Sequence, residues 1–213
     1  MKRHGTCRKP NSYESLCLDP ALHSNEDDDS QEPEYTTMHT PEGEEELYWI
    51  GQGARAVVYQ SPTGDVYAFI GKKNQDKVIA EAVHTRLPDN PHVPAVRRLG
   101  QTVQGDVLYT MPFYTVPPES EESEADIDIL KSCERSRGRG RGRILAAQGR
   151  EALEQTLDCT REDLSPAVQE ALEELVAEAL HRSPTFGLEF QRSNLGEDEN
   201  GNLVLLDVLV DDV

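Results

Sequence analysis

Two oxygen-bearing side chains near the C-terminal end of the sequence have a spacing that suits metal binding. Asn194 ends a polar loop, and Asp207 follows the apolar run of residues 203–206. Between them lies Asn200-Gly201, a dipeptide typical of a tight β-hairpin. A hairpin at this point would bring the two side chains close together. Paired oxygen ligands of this kind suit a Mg²⁺ ion that carries a nucleotide phosphate.

The elements that precede this hairpin predict an α+β fold. The run that ends at Tyr59 and the run of residues 66–70 are rich in β-branched and aromatic residues and flank a Pro/Gly turn, which predicts an antiparallel hairpin. Residues 107–114 predict a further strand, which Pro117-Pro118 ends. Apolar residues at helical spacing predict three helices. The helical patterns cover residues 78–87, 144–157 and 165–181.

The N-terminal part of the chain is acidic and lacks apolar periodicity. The whole chain has 213 residues and a formal charge of −19, which argues against sequence-independent binding to duplex DNA. We expect residues 1–46 to be a disordered acidic tail. Its acidity has two interpretations. One is a solubilising surface, and the other is a surface that occupies a basic site on a partner.

A second compositional break follows Pro118. Residues 119–128 are acidic, and residues 136–143 alternate arginine with glycine, so we expect a variable insert over residues 117–163. The Arg-Gly segment has two interpretations: weak contact with nucleic acid or an acidic partner, and an internal loop that balances the charge of this same chain. The four cysteines have no Cys-x-x-Cys spacing, so we expect neither a zinc site nor a disulfide framework, as in a reducing cytosol. No apolar run reaches the roughly 18 residues needed to span a membrane.

The order of these elements resembles a protein kinase catalytic domain. The sequence IGQGARAVVY at residues 50–59 resembles the kinase glycine-rich loop, and residues 63–70 resemble the strand that carries the phosphate-binding lysine. The helix of residues 78–87 contains Glu81, where kinases have the glutamate that pairs with that lysine. Residues 189–194 have the spacing of the catalytic-loop Asp-x-x-x-x-Asn, and Asp207 matches the metal-binding Asp of the Asp-Phe-Gly motif. The resemblance covers residues 47–210, and in character is nearest to the short early serine/threonine protein kinases of lytic bacteriophages.

The resemblance implies a site for ATP and Mg²⁺. Catalytic roles fall on Glu189, Asn194 and Asp207, of which Asn194 and Asp207 would bind the metal. Cofactor-binding roles fall on Gly51, Gly53, Lys72 and Glu81. Two positions depart from the family pattern: Ile70 stands where the lysine is expected, and Glu189 stands in place of the catalytic aspartate. Lys72 shares the strand parity of Ile70, so we expect it to substitute for the missing lysine.

The implied architecture is a two-lobed kinase-like fold with a truncated C-terminal lobe. Its parts are the acidic tail (1–46), a kinase-like N-lobe (47–116), the variable insert (117–163) and the C-lobe with the catalytic-loop-like hairpin (164–213). The resemblance implies a serine/threonine kinase-like protein that acts on host proteins during infection, including the transcription machinery, in the host cytoplasm. The alternative is an inactive pseudokinase that serves as an acidic protein-interaction module or inhibitor. An acidic mimic of nucleic acid ranks last.

Overall fold

The computed structural model describes residues 16–18, 35–52, 55–136, 149–183 and 186–211. The fold is α+β, as the sequence predicts. The chain divides into two compact units, which are described separately. Unit 1 comprises Met1–Gln75 and Arg97–Phe113, and unit 2 comprises Asp76–Val96 and Tyr114–Val213.

Unit 1 is built on a seven-stranded antiparallel sheet with the order β1-β2-β3-β4-β5-β7-β6. Its strands are β1 (Cys17–Leu18), β2 (Tyr35–His39), β3 (Glu44–Gln52), β4 (Ala56–Gln60), β5 (Val66–Ile70), β6 (Arg97–Gln101) and β7 (Val107–Met111). The predicted hairpin between β4 and β5 is confirmed, and its turn uses Gly64 at a φ of 97°, a value that disfavours residues with a Cβ. All five residues of β5 are buried.

The predicted disordered tail is wrong for residues 35–46, which form β2 and the beginning of β3. Thr36 and Met38 alternate with more exposed residues along β2, and Leu47 of β3 is fully buried. The acidic run of residues 44–46 lies in a strand whose apolar residues come later. The density of charge hides this short period-two pattern in the sequence. The prediction is also wrong for Cys17 and Leu18, which form β1, and residues 1–15 and 19–34 lie outside the described residues.

The described part of unit 2 combines four α-helices with two small antiparallel sheets. Its elements are α1 (Gln75–His84, all but the first residue), α2 (Glu121–Ser136), α3 (Gly149–Thr160), α4 (Pro166–Arg182), β8 (Phe186–Leu188), β9 (Leu195–Glu197), β10 (Leu203–Leu205) and β11 (Leu209–Asp211). A short 3₁₀ helix, Arg192–Asn194, precedes β9. The predicted helices of residues 78–87, 144–157 and 165–181 correspond to α1, α3 and α4. Leu172 and Leu175 of α4 are fully buried in one apolar core with Ile127 of α2 and Leu195 of β9.

The acidic segment that begins the predicted variable insert forms the start of α2. Glu121, Glu122 and Glu124 lie in its first turn, where carboxylates interact favourably with the positive end of the helix dipole. The Glu197 carboxylate accepts hydrogen bonds from the backbone N–H groups of Glu119 (3.0 Å) and Ser120 (2.9 Å), just before the helix. The acids therefore belong to a helix terminus, and residues 121–136 of the predicted insert are helical.

Cys133 of α2 and Cys159 of α3 form a disulfide across 26 residues of sequence. The prediction of unpaired cysteines is wrong for this pair, because two cysteines on packed helices meet without any short sequence motif. Disulfides persist in oxidising compartments, so this bond removes the support that the cysteines gave to a cytosolic location. In the described part of the chain, no helix is both long and apolar enough to cross a bilayer.

Candidate functional site

The hairpin of β9 and β10 places Asn194 beside Asp207. The backbone N–H groups of Leu206 and Asp207 donate to the carbonyl oxygen of Asn194 over 3.0 and 3.1 Å. Asn194 ends the 3₁₀ helix and Asp207 follows β10, so both residues lie at the same end of the hairpin. The sequence-based prediction that a tight hairpin brings these two residues together is confirmed.

The turn of this hairpin is built by Asp198 and Gly201. Gly201 has a φ of 83°, the left-handed conformation that glycine adopts without steric cost. The Asp198 carboxylate accepts hydrogen bonds from the backbone N–H groups of Asn200 (2.8 Å) and Asn202 (2.9 Å). These bonds fix the register in which Leu205 pairs with Leu195, and so fix the spacing at the Asn194 end.

Glu189 lies between β8 and the 3₁₀ helix, at the position where the resemblance expects a catalytic aspartate. Its backbone N–H donates to the carbonyl oxygen of Val208 over 2.9 Å, so the loop is attached to the segment that follows Asp207. Its side-chain carboxylate accepts a hydrogen bond from Nε2 of Gln191 over 2.7 Å. Three predicted site residues, Glu189, Asn194 and Asp207, therefore lie on one loop-and-hairpin segment of unit 2.

Lys77 connects α1 to this hairpin. Its Nζ atom lies 2.6 Å from Oε1 of Glu81, one turn along the same helix, and 2.7 Å from Oδ1 of Asp207. The Lys77 and Glu81 side chains are 11% and 4% exposed, whereas that of Asp207 is 48% exposed. Lys77 is thus a buried cation held between two carboxylates, one of them enclosed and the other open to solvent. Sequence reasoning missed Lys77. The signal that pointed to it was the Lys-to-Glu spacing of four residues on a helix.

The charges of this ion pair stabilise each other against burial. Burial lowers the pKa of the Lys77 ammonium, but the Glu81 and Asp207 carboxylates outweigh this effect and raise the pKa above its ordinary value. Burial likewise raises the pKa of Glu81, but Lys77 and His84 outweigh it and lower the pKa to about 2. Both groups are therefore charged at neutral pH.

His84 contacts Glu81 from the interior of unit 2. Its Nδ1 atom lies 3.2 Å from Oε2 of Glu81, and its side chain is fully buried. Its Nε2 atom has no hydrogen-bond partner among the described residues. Both Glu81 oxygens thus have a nitrogen partner, Lys77 on one side and His84 on the other, so this carboxylate is fixed in position.

The remaining predicted residues belong to unit 1. Gly51 lies in β3, at an irregularity in its pairing with β4. Lys72 is exposed, and its backbone N–H donates to Oδ1 of Asp106 over 3.3 Å. Ile70 is fully buried. Gly53 lies outside the described residues. The lysine that pairs with Glu81 is Lys77. The sequence analysis expected Lys72 to take the role of the missing lysine.

Neither models of known protein families nor curated protein sequences match this chain. The functional assignment of Asn194 and Asp207 therefore depends on the contacts that they make within the chain itself. Those contacts all come from α1 and from the loop and hairpin of residues 186–211, which lie in unit 2.

Asn194 and Asp207 have the chemistry of magnesium ligands. Mg²⁺ prefers oxygen ligands, and in nucleotide sites it keeps several waters and takes one or two carboxylates together with phosphate oxygens. Asp207 supplies a half-exposed carboxylate, and Asn194 supplies a half-buried amide. Within the described ranges, no group of three or more His, Cys, Asp and Glu side chains could hold a metal by itself.

Proposed function

We propose that this chain is a diverged protein kinase-like protein, of the type found in lytic bacteriophages, that binds ATP together with Mg²⁺. The observation that supports this best is the contact of Lys77 with both Glu81 and Asp207, beside Asn194. A lysine, a glutamate paired with it and a metal-binding aspartate are the charged groups that kinases use at the nucleotide phosphates.

In this proposal the chain's residues bind and orient the nucleotide. Asn194 and Asp207 would hold the metal ion, which neutralises charge on the phosphates. Glu81 keeps the Lys77 ammonium in place through the buried ion pair. A phosphate-binding role for Gly51 and Gly53 and a general-base role for Glu189 stay predictions from the resemblance.

Thermal unfolding in the presence of Mg²⁺ and ATP tests nucleotide binding. A ligand that binds only the folded state at about 100 times its Kd adds about 2.7 kcal/mol of stability. We expect a rise in Tm for the wild type with both ligands present, and no rise for Asp207→Ala. Glu199→Ala is the matched control, because it removes an exposed acid from the turn of the same hairpin. An unchanged Tm in the wild type would overturn the proposal.

The activity that follows from binding is transfer of the γ-phosphoryl group to a serine or threonine of a host protein. A pseudokinase is the second candidate, because Glu189 replaces the catalytic aspartate and its carboxylate is hydrogen-bonded to Gln191. Transfer of labelled phosphate from ATP to a mixture of host proteins separates the two. Label that depends on Asp207 supports the kinase. Nucleotide binding without any transfer supports the pseudokinase.

A pseudokinase would act through a bound partner. Host proteins, including components of the transcription machinery, are the proposed partners, and the Arg-Gly segment is the proposed contact. Replacing Arg137, Arg139, Arg141 and Arg143 with glutamine keeps the chain length and removes four positive charges. A partner retained by the wild type and by Asp207→Ala, but lost from the glutamine variant, is the expected result. Retention by all three would exclude the Arg-Gly segment as the contact.

A further inference from the structure

We propose that Lys77 is the phosphate-binding lysine of this chain, and that it occupies the metal-binding carboxylate Asp207 until a nucleotide arrives with its metal ion. This inference rests on the proposed function. The lysine has moved from a strand to a helix: it stands one turn before the glutamate with which it pairs.

The placement of the other basic residues favours Lys77. Ile70, at the position where the resemblance expects the lysine, is fully buried and apolar. Lys72, the nearest substitute by strand parity, is exposed. Lys77 alone among these three positions has its ammonium on Glu81 and on Asp207. The residue that resembles the kinase lysine by its contacts therefore differs from the one that resembles it by sequence position.

The two carboxylates that contact the Lys77 ammonium, those of Glu81 and Asp207, differ in their exposure to solvent. The Glu81 side chain is 4% exposed and is also contacted by His84, so its position is fixed. The Asp207 side chain is 48% exposed, so water and ions reach it. An ion pair that is open to solvent is worth little, whereas breaking an enclosed pair is costly. Lys77 can leave Asp207 while it stays on Glu81.

The ammonium has a free donor for a ligand. A lysine carries three N–H donors, and two of those of Lys77 are directed at Glu81 and Asp207 within the described part of the chain. When Mg²⁺ binds Asp207, the N–H group of Lys77 that donated to Asp207 also becomes free. This N–H group and the third one are then available to the phosphate oxygens, because the metal ion and the phosphates arrive together.

This exchange has a distinctive thermodynamic consequence. Without nucleotide, Lys77 and a divalent cation compete for the same carboxylate, so the cation binds weakly by itself. With nucleotide, the lysine has the phosphates as an alternative partner, so cation and nucleotide strengthen each other's binding. Removing the Lys77 charge should thus have opposite effects: tighter binding of the cation alone and weaker binding of the nucleotide. A purely structural lysine would weaken both.

The test measures binding of Mn²⁺ alone and of Mg²⁺ with ATP, by calorimetry or by the spin resonance of free Mn²⁺, for the whole chain. Lys77→Met is expected to weaken Mg-ATP about tenfold or more, the loss of a charge-assisted hydrogen bond, and to tighten Mn²⁺ alone a few-fold. Lys73→Met removes an exposed lysine to which no role is assigned; it is the matched control and should stay within about twofold of the wild type for both ligands.

Lys77→Met leaves Glu81 buried without its cation, so this variant alone risks unfolding. The pair Glu81→Gln and Lys77→Met/Glu81→Gln avoids that, because glutamine is neutral and still reaches His84. The same opposite changes are expected between these two proteins. The inference is overturned if Lys77→Met binds Mg-ATP as tightly as the wild type, or if the double variant binds it as tightly as Glu81→Gln. It is also overturned if Lys72→Met shows the loss of Mg-ATP binding. In each of these cases the proposed function stands. If the wild type binds no Mg-ATP, both fall.

Discussion

The interiors of the two units differ in the charge that they contain. The buried polar side chains of unit 1 are serine and threonine: Thr36, Thr40, Ser61, Thr102 and Thr110. Every buried Lys, Arg, Asp, Glu or His side chain in the described part of the chain lies in unit 2, namely Lys77, Glu81, His84, His92 and Asp126. Buried charges are costly unless they are paired, and they concentrate at functional sites. The contrast thus indicates that unit 1 is stabilised by apolar packing and its strand ladder, whereas the interior of unit 2 also holds ionisable side chains.

The same contrast separates two ways of placing a lysine at the proposed nucleotide site. A lysine in β5 would have to emerge from the apolar surroundings in which all five strand residues are buried. A lysine in α1 stands one turn from its glutamate, so this ion pair forms within one helix. An i to i+4 pair on one helix is a local contact, so it keeps the cation in place whatever happens to β5.

Removing Glu81 should give the largest loss of stability. In Glu81→Ala, the buried Lys77 loses its enclosed partner, and we expect the free energy of unfolding to fall by about 3–5 kcal/mol. Urea denaturation measures it. Glu154→Ala is the control, because Glu154 forms an exposed i to i+4 pair with Arg150 and should cost less than about 1 kcal/mol. Equal losses of unfolding free energy in the two variants would show that the buried pair stabilises the protein no more than the exposed pair does.

Placing a lysine at position 70, where the kinase resemblance expects one, should also destabilise the protein. In Ile70→Lys, a cation replaces a fully buried apolar side chain, and we expect a loss of roughly 3 kcal/mol or more. Ile70→Met conserves volume and should cost less than about 1.5 kcal/mol. Both are read from urea denaturation, with Mg-ATP binding measured alongside. A stable Ile70→Lys protein that binds nucleotide more tightly than the wild type would break the distinction between the two units.

The acid sensitivity of unit 2 should depend on Glu81. Its pKa in the folded protein is about 2, below the ordinary 4.5, so its contribution to stability is complete above about pH 4.5 and is lost as the pH falls towards 2. The wild type should therefore be more stable than Glu81→Gln at neutral pH, by up to roughly 3 kcal/mol, and this difference should shrink on acidification. Urea denaturation between about pH 6 and pH 3 measures both proteins. A difference that does not change with pH would contradict the prediction.

Replacing the turn glycines should cause the smallest loss of stability, and a loss of similar size in both units. Gly64 in unit 1 and Gly201 in unit 2 have φ values of 97° and 83°, and an added Cβ would meet no close atom at either. Replacement by alanine should then cost about 1–2 kcal/mol from the backbone conformation alone. Gly43→Ala is the control, because that glycine has open space and no positive φ, and should change stability by less than about 0.5 kcal/mol. Thermal unfolding of the three variants compares them.

The sequence predicts the parts of this structure that depend on local patterns. The β4–β5 and β9–β10 hairpins follow from turn chemistry at Gly64 and Asn200-Gly201, and α4 follows from its apolar stripe. Asn194 and Asp207 could be placed together because a two-stranded hairpin fixes which residues lie side by side.

The parts that were missed depend on contacts between distant residues. Lys77 and Asp207 are 130 positions apart, and nothing in the local pattern around either one indicates the other. The acidic residues of β3 and of the first turn of α2 resemble a disordered chain by composition, and only strand pairing or helix formation shows their role. Charge density alone therefore overestimates disorder in this chain.

The disulfide between Cys133 and Cys159 has a consequence for limited proteolysis. It joins α2 to α3 at the two ends of the stretch that contains the Arg-Gly repeat, so that stretch is part of a covalent ring. A single cut by an arginine-specific protease inside the ring leaves every residue attached to the rest. The cleaved protein would migrate as one species on a non-reducing gel and separate into two fragments after reduction. Cleavage within the Arg-Gly repeat accordingly leaves the two fragments joined by the disulfide.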